Sequence, residues 1–222
     1  MDDLALDSQL HFQALKGLER LNRACLSARV LWNPIREYAL DTGRAPLRIL
    51  DMAAGAGDVV IALTQKAQKE NLPLVFEGCD LNPRAVAYAN GRSRRQGLDL
   101  DFFQYDALRG PLPDRFDGVI SSLFLHHLSD EHLGSFLKSM SNSQVKLLVL
   151  SDLKRSLRGL ALCYAGTRLL SNSPIVHQDG LQSVRAALTT AEILRQAQSA
   201  GLAGVQIKSV WPMRYVLTWI SP

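Results

Sequence analysis

Three carboxylates and one thin turn are the residues whose types and spacing suggest chemistry. Leu47-Arg48-Ile49-Leu50 reads as a buried strand. It runs through Asp51-Met52-Ala53-Ala54-Gly55-Ala56-Gly57-Asp58 into a helix that opens Val59-Val60-Ile61. Gly55 and Gly57 lack a Cβ, so a ligand can lie against the backbone there. A strand–turn–helix of this kind binds a nucleotide-like ligand at the carboxyl edge of a parallel sheet. The dinucleotide fingerprint G-x-G-x-x-G asks for a third glycine, and that position is Val60. It also sets a pyrophosphate on the helix N-terminus. Asp58 stands there, expected to cap the helix and to repel phosphate. Asp80, 29 positions after Asp51, ends the apolar run Leu74 to Cys79, and Asp106 follows Phe102-Phe103-Gln104-Tyr105. Three acids at successive strand tips suit a cationic adenosine derivative without phosphates. S-adenosylmethionine, with an ammonium and a sulfonium, has that chemistry.

Four blocks in order resemble the class I S-adenosylmethionine-dependent methyltransferases, most of all the small-molecule branch of quinone and polyketide pathways. They are Leu50 to Asp58, Gly78-Cys79-Asp80-Leu81-Asn82-Pro83, Tyr105-Asp106-Ala107-Leu108 and Phe116 to Leu123. The resemblance departs at Ala53, where the family carries its first glycine. It implies that Asp51, Ala53, Gly55 and Gly57 form the wall for the amino-acid end of the cofactor. Asp80 would take the ribose hydroxyls, Leu81 would lie against the adenine, and Asp106 with Ala107 would meet its exocyclic amine. Ser122 would stand beside the sulfonium.

Methyl transfer to a hydroxyl is helped by a general base, typically by 10²- to 10⁴-fold. His126 and His127 follow the fourth strand at the edge facing the cleft. The pair either starts a connection, packing or capping, or supplies the base. His177, in what reads as a substrate-side loop, is the next candidate. Asp152, just past the fifth strand, either orients a histidine or pairs with Arg155. Residues 153–188 hold five basic residues against one acid, Asp179. Arg155 and Arg158 are therefore expected to hold an anionic acceptor, against the alternative of a solvated helix face.

The elements that must position these residues alternate strand and helix, which implies a parallel sheet with helices on both faces. Strands are expected at 47–50, 74–79, 100–105, 118–123 and 145–150. Helices should follow the glycine turn to about Glu70, Pro83 to Gln96, and Ser129 onward. An apolar helix spans about 157–170, and Thr189-Thr190-Ala191-Glu192 is a capping-box pattern. Val205 to Trp211 and Tyr215 to Ile220 read as a closing hairpin. The expected fold is α/β, a Rossmann-like doubly wound sheet, and the resemblance implies seven strands, mostly parallel with the last antiparallel. An N-terminal helical cap precedes it, with apolar residues Phe12, Leu15, Leu18, Leu21 and Cys25 at helical spacing and a second short helix at Leu31, Trp32, Ile35 and Tyr38. Asn22, Arg23 and Arg29 are placed there to meet a carboxylate.

The 222 residues, 47% hydrophobic and 21% charged, read as one domain. It divides into a cap (1–44), a cofactor core (45–152), a substrate-side insertion (153–188) and a final helix with hairpin (189–222). A net charge of +4 is too weak to argue for nucleic acid without a clustered patch. Cys25, Cys79 and Cys163 lie far apart and read as thiols of a reducing compartment. No signal-peptide pattern and no membrane-length apolar run is seen, so the expected setting is cytoplasmic. No metal site is expected, the acceptor is expected to be a small molecule, and the oligomeric state is not legible. Two other readings stay open: a module that binds S-adenosylmethionine without transferring methyl, and a nucleotide-dependent oxidoreductase.

Overall fold

The computed structural model describes residues 27–43, 46–109, 112–170 and 174–221. The first half of the N-terminal cap, with Phe12, Leu15, Leu18, Leu21, Asn22, Arg23 and Cys25, lies outside them. Helix α1 (Ser27–Thr42) is followed by β1 (Leu47–Met52), α2 (Asp58–Lys69), β2 (Leu74–Asp80), α3 (Pro83–Arg95) and β3 (Phe102–Gln104). Then come β4 (Gly118–Ser122), a 3-10 turn (Leu125–His127), α4 (Asp130–Ser141) and β5 (Leu147–Leu153). Helices α5 (Leu157–Leu170), α6 (Pro174–Ala186) and α7 (Thr190–Ser199) lead to the hairpin β6 (Gln206–Val210) and β7 (Arg214–Ile220).

The seven strands form one sheet in the order β3-β2-β1-β4-β5-β7-β6. β1 to β5 are parallel to their neighbours, and β7 runs antiparallel to β5 and to β6. The strand order reverses between β1 and β4, so their carboxyl ends flank the crevice where ligands bind in such sheets. Strand alternation fills both faces. Leu47 and Ile49 of β1 join α1 and α2 in one core, while Leu50 and Met52 join α4 and α7 in the other. β5 divides likewise, with Leu147 and Val149 on one side and Leu148 and Leu150 on the other.

Local chemistry sets several boundaries. The Asn82 side chain accepts from the Arg84 amide with Pro83 in the first turn of α3, and Ser129 accepts from the His132 amide at α4. Thr189 and Glu192 form the reciprocal capping box that opens α7. Four expectations need correction. β3 is only three residues long, so Asp106 lies beyond the strand rather than at its tip. β5 runs to Leu153, so Asp152 is a strand residue, 1% exposed. Asp58 is the first residue of α2 and not its cap; Gly57 holds that place with no side-chain bond. His177 sits in a helix, not a loop, because Pro174 is tolerated in the first turn of α6.

Candidate active site

The turn after β1 is shaped by backbone and not by ligand-ready space alone. Ala53 sits at φ 57 and Gly55 at φ 53. The left-handed region disfavours a residue with a Cβ, so Ala53 carries strain a glycine would not. A Cβ on Gly55 would meet nothing within 4 Å, so this residue presents bare backbone to open space. Gly57 is different. A Cβ there would stand 2.7 Å from the Phe102 ring, and one on Gly78 would stand 2.5 Å from it. These two glycines let Phe102 pack between the turn and β2, so the role expected of Gly57, approach to a ligand, gives way to packing.

Asp80 fastens the turn to β2. Its two oxygens accept from the Gly55 amide at 2.9 Å and from the Asn82 amide at 2.9 Å. Asp51 is buried at the end of β1. Burial pushes its carboxyl well above the ordinary aspartate range, and the charges of Asp58 and then Asp80 push it further. Cys79, beside them, is pushed up to about 12, first by burial and then by Asp51. Its thiol stays protonated and unreactive. Leu81 is exposed past the tip of β2. Asp106 accepts from the Leu108 amide at 2.9 Å and pairs with Arg109 at 3.5 Å, so its carboxylate closes its own turn, next to half-buried Ala107.

Across the switch point the structure brings two candidates together. Nδ1 of His126 lies 2.7 Å from Oδ1 of Asp152, with side chains 5% and 1% exposed. Asp152 also accepts from the His126 amide at 3.0 Å and from the Leu153 amide at 2.6 Å. Burial pulls the Asp152 carboxyl upward, but the His126 charge, its hydrogen bond and the two amides outweigh it and hold it below the usual value. A carboxylate accepts only, so Nδ1 carries a proton toward it, and in the neutral tautomer this leaves Nε2 as the acceptor. The His127 ring lies 4.2 Å from that of His126, but its side chain is exposed. His177 is half-buried on α6, which packs on the 3-10 turn carrying His126.

The arginines are reassigned. Arg155, expected to hold an acceptor or to pair with Asp152, instead donates to Glu192 at 2.5 Å. Arg158 is exposed on α5, and Arg29 is exposed on α1. A buried cation at this edge that sequence reading missed is Arg214. It is 1% exposed and donates from Nη1 to Ser27 at 2.7 Å, and from Nη2 to Ser122 at 2.9 Å and to the Ser151 carbonyl at 3.4 Å. Ser122 therefore offers its hydroxyl oxygen to a buried guanidinium at the end of β4. The one signal was a cation at the head of the apolar run Tyr215-Val216-Leu217.

Residues 49–144 match the family model described as a methyltransferase domain. The demethylmenaquinone methyltransferase of Thermus thermophilus is 34% identical over 98 residues, covering 43% of this chain and 43% of that protein. The release factor glutamine methyltransferase of Haemophilus influenzae is 33% identical over 93 residues, covering 39% of this chain and 30% of its own. The chain thus matches less than half the length of these curated relatives. Human N-acetylserotonin methyltransferase in complex with S-adenosylmethionine superposes with a TM-score of 0.66 at 16% identity, over 95% of this chain and 55% of that one.

Proposed function

We propose that this chain, which carries a methyltransferase domain of the class I S-adenosylmethionine-dependent kind, methylates a hydroxyl of a small aromatic acceptor of the quinone or polyketide type. S-adenosylmethionine supplies an electrophilic methyl on a sulfonium, and it suits the residues present. Burial, and then the charges of Asp58 and Asp80, raise the Asp51 carboxyl in the absence of a cation, and Gly55 offers bare backbone nearby. Asp80, at the tip of β2 beside the turn, would hold the ribose hydroxyls. Asp51 would face the charged amino-acid end, and Leu81 would cover the adenine.

The observation that carries hydroxyl methylation is the buried His126–Asp152 pair at 2.7 Å. Asp152 fixes the ring and its tautomer. His126 is left with one bare nitrogen, the group that would take the proton of an acceptor hydroxyl. The matching demethylmenaquinone methyltransferase supports a quinone-like acceptor by its name. The test is transfer of a labelled methyl from S-adenosylmethionine to a panel of phenols and hydroxyquinones, with the position methylated read by mass spectrometry. Oxygen methylation that is lost in His126→Ala supports the reading. Carbon methylation, or a His126→Ala rate equal to that of the parent, overturns the base assignment. Absence of S-adenosylmethionine binding by calorimetry overturns the reading as a whole. Asp80→Ala should weaken that binding by about 1.5–3 kcal/mol for each charge-assisted bond removed.

A further inference from the structure

We propose that the outer face of α5 seats this protein on the surface of an anionic lipid membrane. The inference does not depend on the reaction proposed above. It starts from how α5 is packed. Gly180 of α6 lies so close to α5 that a Cβ would stand 2.9 Å from Thr167 and 3.0 Å from Cys163, and Gly159 faces Val184. Those contacts fix which side of α5 is turned inward. Helix α6 in turn rests on the 3-10 turn that carries His126, so α5 is the outer layer of a two-helix roof over the candidate site.

The other side of α5 is unusually apolar for a solvent face. Leu157 is 85% exposed and Leu169 84%, and Leu162 and Tyr164 are exposed between them. Ala161 and Ala165 fill the gaps. At 100° per residue these six side chains fall within about 160° of arc, and Leu157 to Leu169 spans about 18 Å. The only charges on the helix are Arg158 and Arg168, both exposed, and Arg168 lies 3.6 Å over the Tyr164 ring. Outside the helix, residues 153–188 add three cations, Lys154, Arg155 (paired with Glu192) and Arg185, against one acid, Asp179.

Shape and charge choose the occupant. Leucines this exposed stand on a ridge with no walls, which fits a fluid phase they can enter better than a preformed protein groove. A second copy related by a two-fold axis would bring like patches together and set Arg158 and Arg168 against their own kind. An anionic lipid surface satisfies both features: Arg158 and Arg168 lie on the same arc as the leucines, so the leucines would enter the acyl boundary while the long arginine stems carry their guanidiniums up to headgroup phosphates. At 14 residues α5 is too short to cross a bilayer, and among the described residues no helix is long and apolar enough to do so. The association is therefore peripheral and reversible.

The test is co-sedimentation of the full chain with vesicles of equimolar phosphatidylglycerol and phosphatidylcholine, compared with phosphatidylcholine alone. Binding to the anionic vesicles, weak binding to the neutral ones and release as salt is raised are expected. Leu157→Asp/Leu169→Asp should lower the binding constant by roughly tenfold or more with unchanged circular dichroism and melting temperature, since both side chains lie outside the core. Leu157→Ser/Leu169→Ser should act in the same direction. Equal sedimentation of parent and both variants, or none of the parent, overturns the proposal. So does a dimer in sedimentation velocity that the variants abolish. Loss of hydrogen-exchange protection in residues 1–26 on making the variants, without vesicles, would mean the N-terminal segment occupies the face and would equally overturn it.

Discussion

Asp152→Asn separates a group that steers chemistry from one that merely fills a buried place. The carboxylate accepts three hydrogen bonds, from the His126 amide, the Leu153 amide and His126 Nδ1. An asparagine must put an NH₂ on one of the two oxygen positions. At the Oδ2 position it opposes donor to donor with the His126 amide. At the Oδ1 position it abandons the Leu153 amide and drives Nδ1 into the acceptor role, which moves the ring proton to Nε2. Either choice leaves a buried N–H without a partner, at about 1–3 kcal/mol of stability. The second also removes the base, worth about 10²- to 10⁴-fold in rate. Stability should fall in denaturant titration, kcat for a phenolic acceptor should fall by at least about a hundredfold, and the calorimetric Kd for S-adenosylmethionine should stay within about twofold. The variant should also lose an acid-sensitive share of stability. The depressed Asp152 carboxyl stabilises the fold above the ordinary aspartate value, and that contribution disappears as pH falls through its folded value. A destabilised variant with the parental kcat per folded molecule would show that the pair is structural and refute the base.

Three further outcomes follow from the same edge of the sheet. The raised Asp51 carboxyl stabilises the unliganded fold below the ordinary aspartate value, and that share is lost as pH rises through the raised value; a cation that favours its charged form reverses this. Affinity for S-adenosylmethionine should thus improve over that window with net proton release, read by calorimetry in buffers of different ionisation enthalpy, and a flat profile would contradict it. Ala53→Gly relieves a left-handed alanine worth about 1–2 kcal/mol against about 0.4–1 kcal/mol of added unfolded-state entropy, so a small gain in stability is expected by thermal unfolding. Arg214→Ala removes a donor to the Ser27 and Ser122 hydroxyls and leaves a buried space, for an expected loss of roughly 2–5 kcal/mol in chemical denaturation.

What the sequence made legible was local. The β1–turn–α2 unit, the Asn82 cap and the Thr189–Glu192 box each lie within a few residues, and their patterns appear in the structure as read. The parallel sheet followed from the alternation of strands and helices, and the seven strands with the last antiparallel followed from the family resemblance. The errors are contacts between distant segments. His126 and Asp152 are 26 positions apart and meet only because β4 and β5 pair in the register Ser122 to Ser151. Arg214 reaches Ser27 across 187 positions, which no periodicity records. Gly57 looked like a residue thinned for a ligand, yet the ring it accommodates is Phe102, on the far edge strand. For Arg155 the sequence offers an acceptor or Asp152 as partner, and α7 brings Glu192 beside it instead.

Asp51 and Asp152 are both buried at the carboxyl edge, one on β1 and one on β5 with only β4 between them, and their protonation is driven in opposite directions. The same desolvation acts on both. Asp152 has an imidazole at 2.7 Å and two amides directed at it, so its charge is stabilised from within the fold. The charges raising Asp51 are other carboxylates, Asp58 and Asp80. One acid is complete without a ligand and spends its charge on a histidine. The other has its carboxyl raised among its own kind, and a cation supplied from outside would favour its charged form. Two buried acids pushed apart in this way suit separate duties: under the proposed function the β1 side would bind positive charge, and the β4–β5 side would handle a proton. An acceptor that met both would lie across the end of β4, where the Ser122 hydroxyl accepts from Arg214.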